Sequence, residues 1–210
     1  MTGPAAAAPT TGRLEAFSDG VIAIAATLLV LELRVPDGGE DIWLVLTHQL
    51  PSLAAYAVSF LTILILWVNH HALFHAVTRV DRTLLFLNGM LLLGISFISY
   101  PTAVLGRALQ AGDYARSAAA LYALVFTVTS SCFALLWLYL RRHPELLTPA
   151  ARAGAGRALR RSLVGPGLYL LSIVVALINA PASLALAALV ATYFALTPRH
   201  LRGPRPERST

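Results

Sequence analysis

"RLEAFSDGVIAIAATLLVLEL", residues 13–33, opens on Arg13, Glu15 and Asp19 and then turns into almost pure hydrocarbon as far as Glu32. A helix needs roughly 20 predominantly apolar residues to cross a bilayer, and this stretch is long enough. A carboxylate inside the first two turns of such a segment is costly unless it has a partner or a water-filled path. The way Asp19 is satisfied therefore decides how the first helix is held and what the chain does.

The rest of the chain repeats the pattern of long apolar blocks. Of its 210 residues, 57% are hydrophobic and only 12% charged, where a soluble domain carries about 25% charged residues. Mean hydropathy is +0.70. Six stretches have the length and composition of spans: about 14–34, 52–77, 83–106, 115–140, 160–179 and 182–197, the last of them short. The expectation is an all-α, polytopic membrane protein with six transmembrane helices per subunit. Pro101 and Pro166 fall inside or near the ends of spans, where neighbouring helices can satisfy the freed carbonyls. Residues 1–12 read as a disordered N-terminal tail, 13–198 as the six-helix domain, and 199–210 as a basic C-terminal tail. No cleavable signal peptide is evident, so the first apolar run reads as a retained span.

All sixteen basic residues are arginine, and the net charge is +6. They lie between the apolar blocks, which fits membrane topology rather than nucleic-acid binding. With both termini in the cytoplasm, thirteen arginines fall inside and only Arg34, Arg107 and Arg116 outside, next to the acidic segment around Asp37, Glu40 and Asp41. The cell membrane is the expected location. Trp43 and Tyr114 suit the outer interface, Trp137 and Tyr139 the inner one. The single cysteine, Cys132, excludes an internal disulfide.

The second span ends "LWVNHHALFHAVTR", which puts Trp67, Asn69, His70, His71 and His75 one to three turns before Arg79. Antiparallel neighbours bring this set to the depth of Ser18 and Asp19, with Arg13 as a further charge partner. The indole, amide and imidazole groups can hydrogen-bond the hydroxyl and the carboxylate. Asp19 is thus expected to belong to a network that fixes the first helix against the second. His71 and His75 have the i, i+4 spacing of a metal pair, but no glutamate lies between them and no cysteine nearby. No metal site and no cofactor is expected.

On the first helix, Ile24, Thr27, Leu28 and Leu31 follow i, i+3, i+4, i+7 and share one face, which Phe17 and Gly20 extend towards the N-terminus. Periodicity alone leaves open whether this face meets lipid, a neighbouring helix or a pore.

The motif Arg13-x-x-x-Phe17-Ser18-Asp19, the "AIAATLLVLEL" that follows and "LWVNHHALF" in the second span together resemble the prokaryotic members of the transmembrane protein 175 family of potassium channels. The resemblance covers about residues 13–197, and spans three to six match only in hydropathy. It implies six helices per unit, a pore lined by the first helix, no carbonyl filter loop and, for a single-unit chain, a homotetramer. By position, Ile24 falls on the family's constricting isoleucine, with Thr27, Leu28 and Leu31 facing the pore beyond it. Arg13, Phe17, Ser18 and Asp19, with Trp67, Asn69 and His70 or His71, fall on the network bracing the pore helix. Ala25 and Ala26 depart from the bulkier residues of the family.

The function so implied is passive potassium conduction through an apolar collar, selected by the cost of removing hydration water. Potassium would pass transiently near Ile24 and Thr27, and Glu32, Asp37, Glu40 and Asp41 could concentrate monovalent cations outside. The partners expected are membrane lipid, the permeant cation and three further copies of the chain. The alternative is a proton-conducting channel or proton-coupled transporter built on Asp19 and the histidines. A transporter favours discontinuous helices or duplicated halves, and an enzyme needs a nucleophile–base pair or a full ligand set; the sequence displays neither.

Overall fold

Apolar blocks separated by arginine, glycine and proline dictate helices whose backbone polar groups are satisfied within each segment, as a bilayer requires. The computed structural model describes residues 11–33 and 41–196. Apart from short connections these residues are helical: α1 (Thr11–Leu28), tightening into a 3-10 turn at Leu29–Glu32, α2 (Ile42–His48), α3 (Leu50–Phe74), α4 (Arg82–Phe97), α5 (Ser99–Ala111), α6 (Ala115–Arg142), α7 (Pro149–Arg152), α8 (Ala155–Ser162), α9 (Val164–Ile178) and α10 (Ala180–Leu196). Five stretches are long and apolar enough to cross a membrane: 11–32, 50–74, 82–111, 115–142 and 155–178. The sixth, α10, is apolar but only 17 residues long.

Several boundaries move. The expected disordered tail over 1–12 is too long, because Thr11 and Gly12 already form the first turn of α1; residues 1–10, the tail over 199–210, and Asp37 and Glu40 lie outside the described residues. The third span runs past 106 to Ala111 and is broken at Ile98. Pro101 has no N–H to give the carbonyl of Phe97, and Ile98 bonds instead to Ile95 in a tightened turn. The arginine-rich segment 141–161 is a 3-10 turn at Pro144–Leu146 followed by α7 and most of α8. It leads into α9 with only a local break at Leu163.

Helix α6 is the hub, packing on α4, α5, α8, α9 and α10. Side-chain clamps tie the bundle, as is common where lipid supplies no hydrophobic drive between helices. Ser59 of α3 hydrogen-bonds both Thr102 of α5 (2.8 Å) and Tyr122 of α6 (2.9 Å). Ser172 and Ser183 exchange bonds with each other's carbonyls across α9 and α10. Gly106 lets α5 approach α3 so closely that a Cβ there would lie 2.6 Å from Ser52 Oγ and 3.1 Å from its Cα.

The two ends of the bundle differ in charge. The α3–α4 connection meets the segment after α6 through Thr78 N–H to the Leu146 carbonyl and the Val77–Leu147 bridge. That gathers Arg79, Arg82, Arg141, Arg142, Arg152, Arg157, Arg160 and Arg161 at one end, together with Arg13. At the other end lie Glu32 and Arg107, paired at 3.6 Å, and exposed Trp43 and Tyr114.

Candidate functional site

Helix α1 has two faces. Leu14, Ser18, Ile22, Ala25 and Leu29, spaced by three and four, are buried against α3 and α4. The opposite face carries Phe17, Ile24, Thr27, Leu28 and Leu31, and none of the described residues covers it: Ile24 is 60% and Leu31 73% exposed. The Thr27 hydroxyl donates to the Ile24 carbonyl at 2.9 Å, leaving its lone pairs on the exposed side. Ala25 and Ala26 turn towards the bundle, so their small size serves close packing of α1 and does not alter the exposed face.

The bracing side is a directed chain of hydrogen bonds. Ser18 Oγ donates to the Leu14 carbonyl at 2.8 Å and accepts from Asn88 Nδ2 at 2.9 Å. Asn88 Oδ1 then accepts from His70 Nε2 at 2.8 Å, which assigns the Nε2 proton to His70. His70 and Ser18 have no exposed surface and Asn88 almost none. One interhelical amide thereby joins α1, α3 and α4. Asp19 sits beside this chain and accepts from the Trp67 indole Nε1 at 2.9 Å. One turn nearer the arginine-rich end, Glu15 Oε1 meets His71 Nδ1 at 2.8 Å, and His71 Nε2 meets His75 Nε2 at 3.0 Å.

Three residues expected in the network are elsewhere. Phe17 lies 63% exposed on the uncovered face, since its position is one residue away from the buried Ser18. Arg13 is exposed and, among the described residues, makes no ion pair with Asp19; it is six residues away and points with Phe17. Asn69, on the side of α3 away from α1, lines a cleft between α3, α6 and α8. In exchange, Asn88 and Glu15 enter. Asn88 is the one amide in "LLFLNGMLLLG", and a lone polar side chain in a span is a signal in itself. At the far end of the bundle, Glu32 pairs with Arg107 and Asp41 caps α2 by accepting from Trp43 N–H, so the two of the four expected cation-gathering carboxylates that are described have protein partners.

Among the described residues, one cluster could hold a metal ion. Ligand atoms of Glu15, His71 and His75 lie within 4.8 Å of one another. The carboxylate that the sequence did not offer between the two histidines comes from α1.

A family model described as "Endosomal/lysosomal potassium channel TMEM175" matches residues 13–99. A protein of Streptomyces collinus named as a potassium channel is 46% identical over 187 residues, covering 88% of this chain and 91% of its own length. The crystal structure of a lysosomal potassium-selective channel TMEM175 homologue from Chamaesiphon minutus superposes with a TM-score of 0.80 at 38% identity, covering 89% of this chain and 96% of that one. A Gallus gallus protein named as an endosomal/lysosomal proton channel TMEM175 is 43% identical over 96 residues, 41% of this chain and 19% of its own length.

Proposed function

This chain belongs to the TMEM175 family, and from that premise we propose that it is a potassium channel whose pore is lined by α1. The observation that carries the mechanism is the division of α1 into a braced face and an uncovered one. Ser18 and Asp19 are held from α3 and α4, while Ile24, Thr27, Leu28 and Leu31 are exposed among the described residues, on the face of α1 away from the bundle. Four copies brought together on that face, as a homotetramer in the cell membrane, put four Ile24 side chains around one axis. Such a collar has no polar atom to replace hydration water. An ion crosses it at the cost of partial dehydration, and potassium releases water more readily than sodium. The Thr27 hydroxyls, one turn further along, offer lone pairs to the emerging ion.

The arginine-rich end takes the cytoplasmic side under the positive-inside rule, which puts both termini there. The test is Ile24→Asn in reconstituted liposomes. A wetted collar shifts the reversal potential under a potassium–sodium gradient towards loss of preference. An unchanged reversal potential removes Ile24 from the selectivity step.

A second reading, proton conduction, has its own support. The run Glu15–His71–His75 is within hydrogen-bond distance at each link, and the chicken relative is named as a proton channel. Asp19 is not in that run, because its partner is Trp67. Acidification of a dye-loaded liposome in the absence of permeant potassium separates the two readings.

A further inference from the structure

Two imidazoles and a carboxylate converge where the first turns of α1 meet the end of α3. His75 N–H bonds the His71 carbonyl at 3.0 Å, so helical geometry continues past Phe74 and sets the two rings one turn apart on the same face. The rings meet edge-on, with centroids 4.3 Å apart and planes at 83°, and their Nε2 atoms are 3.0 Å from each other. Behind them the Trp67 indole, itself held by Asp19, stacks on His71 at 6.2 Å between centroids. Glu15 reaches the pair from α1 and completes a set whose ligand atoms all lie within 4.8 Å of one another. Its Oε1 is closed off from solvent and, among the described residues, has no donor in hydrogen-bonding geometry, although His71 Nδ1 is only 2.8 Å away. Both histidines are exposed, which leaves an entry path from water.

Two imidazole nitrogens on one tetrahedral ion, each at about 2.0–2.1 Å, stand roughly 3.3 Å apart. The 3.0 Å between the two Nε2 atoms is already close to that separation. Two histidines and a glutamate form a ligand set that holds zinc with a fourth position left to water. Imidazole suits zinc, cobalt, nickel and copper, whereas magnesium and calcium take oxygen ligands. We propose that Glu15, His71 and His75 bind a transition-metal dication of the zinc class, and that the bound ion pins the first turns of α1 to the end of α3. His71 and His75 coordinate through Nε2 and Glu15 through its carboxylate. Each neutral ring then carries its proton on Nδ1, which on His71 faces Glu15. Because the ligands come from two helices, the ion binds the folded bundle more tightly than the unfolded chain and raises its stability. It also takes up the lone pairs through which the Glu15–His71–His75 run would pass a proton, so the two uses exclude each other.

The test uses the purified full-length protein, free of any affinity tag and stripped of metal with a chelator. Its readouts are the metal retained after equilibrium dialysis, the visible spectrum of the cobalt form and thermal melting, none of which depends on ion flux. The probes are the chlorides of zinc, cobalt and magnesium. The expected result is one zinc ion retained per chain, the visible bands of four-coordinate cobalt, and a melting temperature raised by zinc but not by magnesium at the same concentration. His75→Ala, at an exposed position on the end of α3, should keep the metal-free melting temperature. It should weaken zinc by more than the roughly 10-fold that loss of an outer-shell partner costs at the least. Glu15→Gln should abolish the rise in melting temperature with zinc, whereas His143→Ala, in a pair with Glu145 outside the cluster, should leave it intact. Zinc retained no better than magnesium by the wild-type protein overturns the proposal, and that comparison needs no variant to fold. Undiminished zinc binding in a folded H71A/H75A protein would place the ion elsewhere, and an unchanged rise in Glu15→Gln would mean that α1 takes no part; either result also overturns it.

Discussion

Asn88 has more depending on it than any other polar side chain around α1. Its amide is donor to Ser18 and acceptor from His70, with all three groups sealed from solvent. Truncation leaves the His70 N–H without an acceptor and takes from Ser18 the donor to its oxygen, while the Ser18 bond to the Leu14 carbonyl remains. Membrane hydrogen bonds average about 0.6 kcal/mol and reach about 1.7, so Asn88→Ala should destabilise the fold by about 1–3 kcal/mol, read as a lower melting temperature in detergent. Arg13→Ala, at an exposed position without an ion pair to Asp19, should leave that temperature nearly unchanged. Equal losses from the two substitutions would show that the chain through Asn88 is not what holds α1. For Asp19 and Trp67, a double-mutant cycle with Asp19→Asn and Trp67→Phe should return a coupling of about 0.5–2 kcal/mol. A coupling near zero would mean that the 2.9 Å contact adds nothing to stability.

Helix ends and crossings supply the next set of constraints. Asp81 caps α4 by accepting from Leu84 N–H at 2.8 Å, and it also accepts from the Tyr139 hydroxyl of α6. Desolvation alone would raise its pKa, but the bonds from Tyr139 and Leu84 outweigh it and hold the carboxyl below the ordinary 3.8. A depressed folded-state pKa means that the stabilisation is complete above the unfolded value and disappears as pH falls through the folded one. Melting temperature should therefore drop on acidification below about pH 4 more steeply in the wild type than in Asp81→Ala, which at neutral pH already lacks about 1 kcal/mol of capping. Parallel acid profiles would dismiss the cap. At the α3–α5 crossing, Gly106→Val meets Ser52 backbone as well as its hydroxyl. Overpacking of this kind costs about 1–3 kcal/mol, and it should lower melting temperature without changing ion preference.

For the whole molecule, exposure does not by itself mark a pore, since α4 carries a comparable apolar stripe at Phe86, Met90, Leu93 and Phe97. What sets α1 apart is that, beside the Ser18–Asn88 bond it shares with α4, its carboxylates Glu15 and Asp19 meet His71 and Trp67 of α3. Light scattering of the purified protein should give four chains per particle. Introducing a charge with Leu31→Glu should disturb ion passage, and Leu93→Glu should disturb insertion or lipid contact. If both substitutions affected conductance alike, the assignment of α1 to the axis would lose its basis. Asp19→Ala should reduce assembly rather than selectivity; normal tetramers with a shifted reversal potential would show that Asp19 acts on the permeant ion rather than on the hold of α1.

The number of apolar spans, their charge bias and the periodic face of α1 follow from composition and spacing, because hydrocarbon length and helical periodicity are local properties of a chain. The motif at Arg13, Phe17, Ser18 and Asp19 located the region of the site for the same reason, and antiparallel pairing was enough to bring Trp67 towards Asp19. Which members of the cluster meet was decided by rotation of α1 about its axis and by the approach of α4, neither of which a one-dimensional pattern contains. Rotation turned Phe17 and Arg13 outward and Ser18 inward. The approach of α4 supplied Asn88 from a segment seventy residues away. The cleft that Asn69 lines is likewise a product of packing, because its walls come from α3, α6, α8, α9 and α10, helices far apart in the chain.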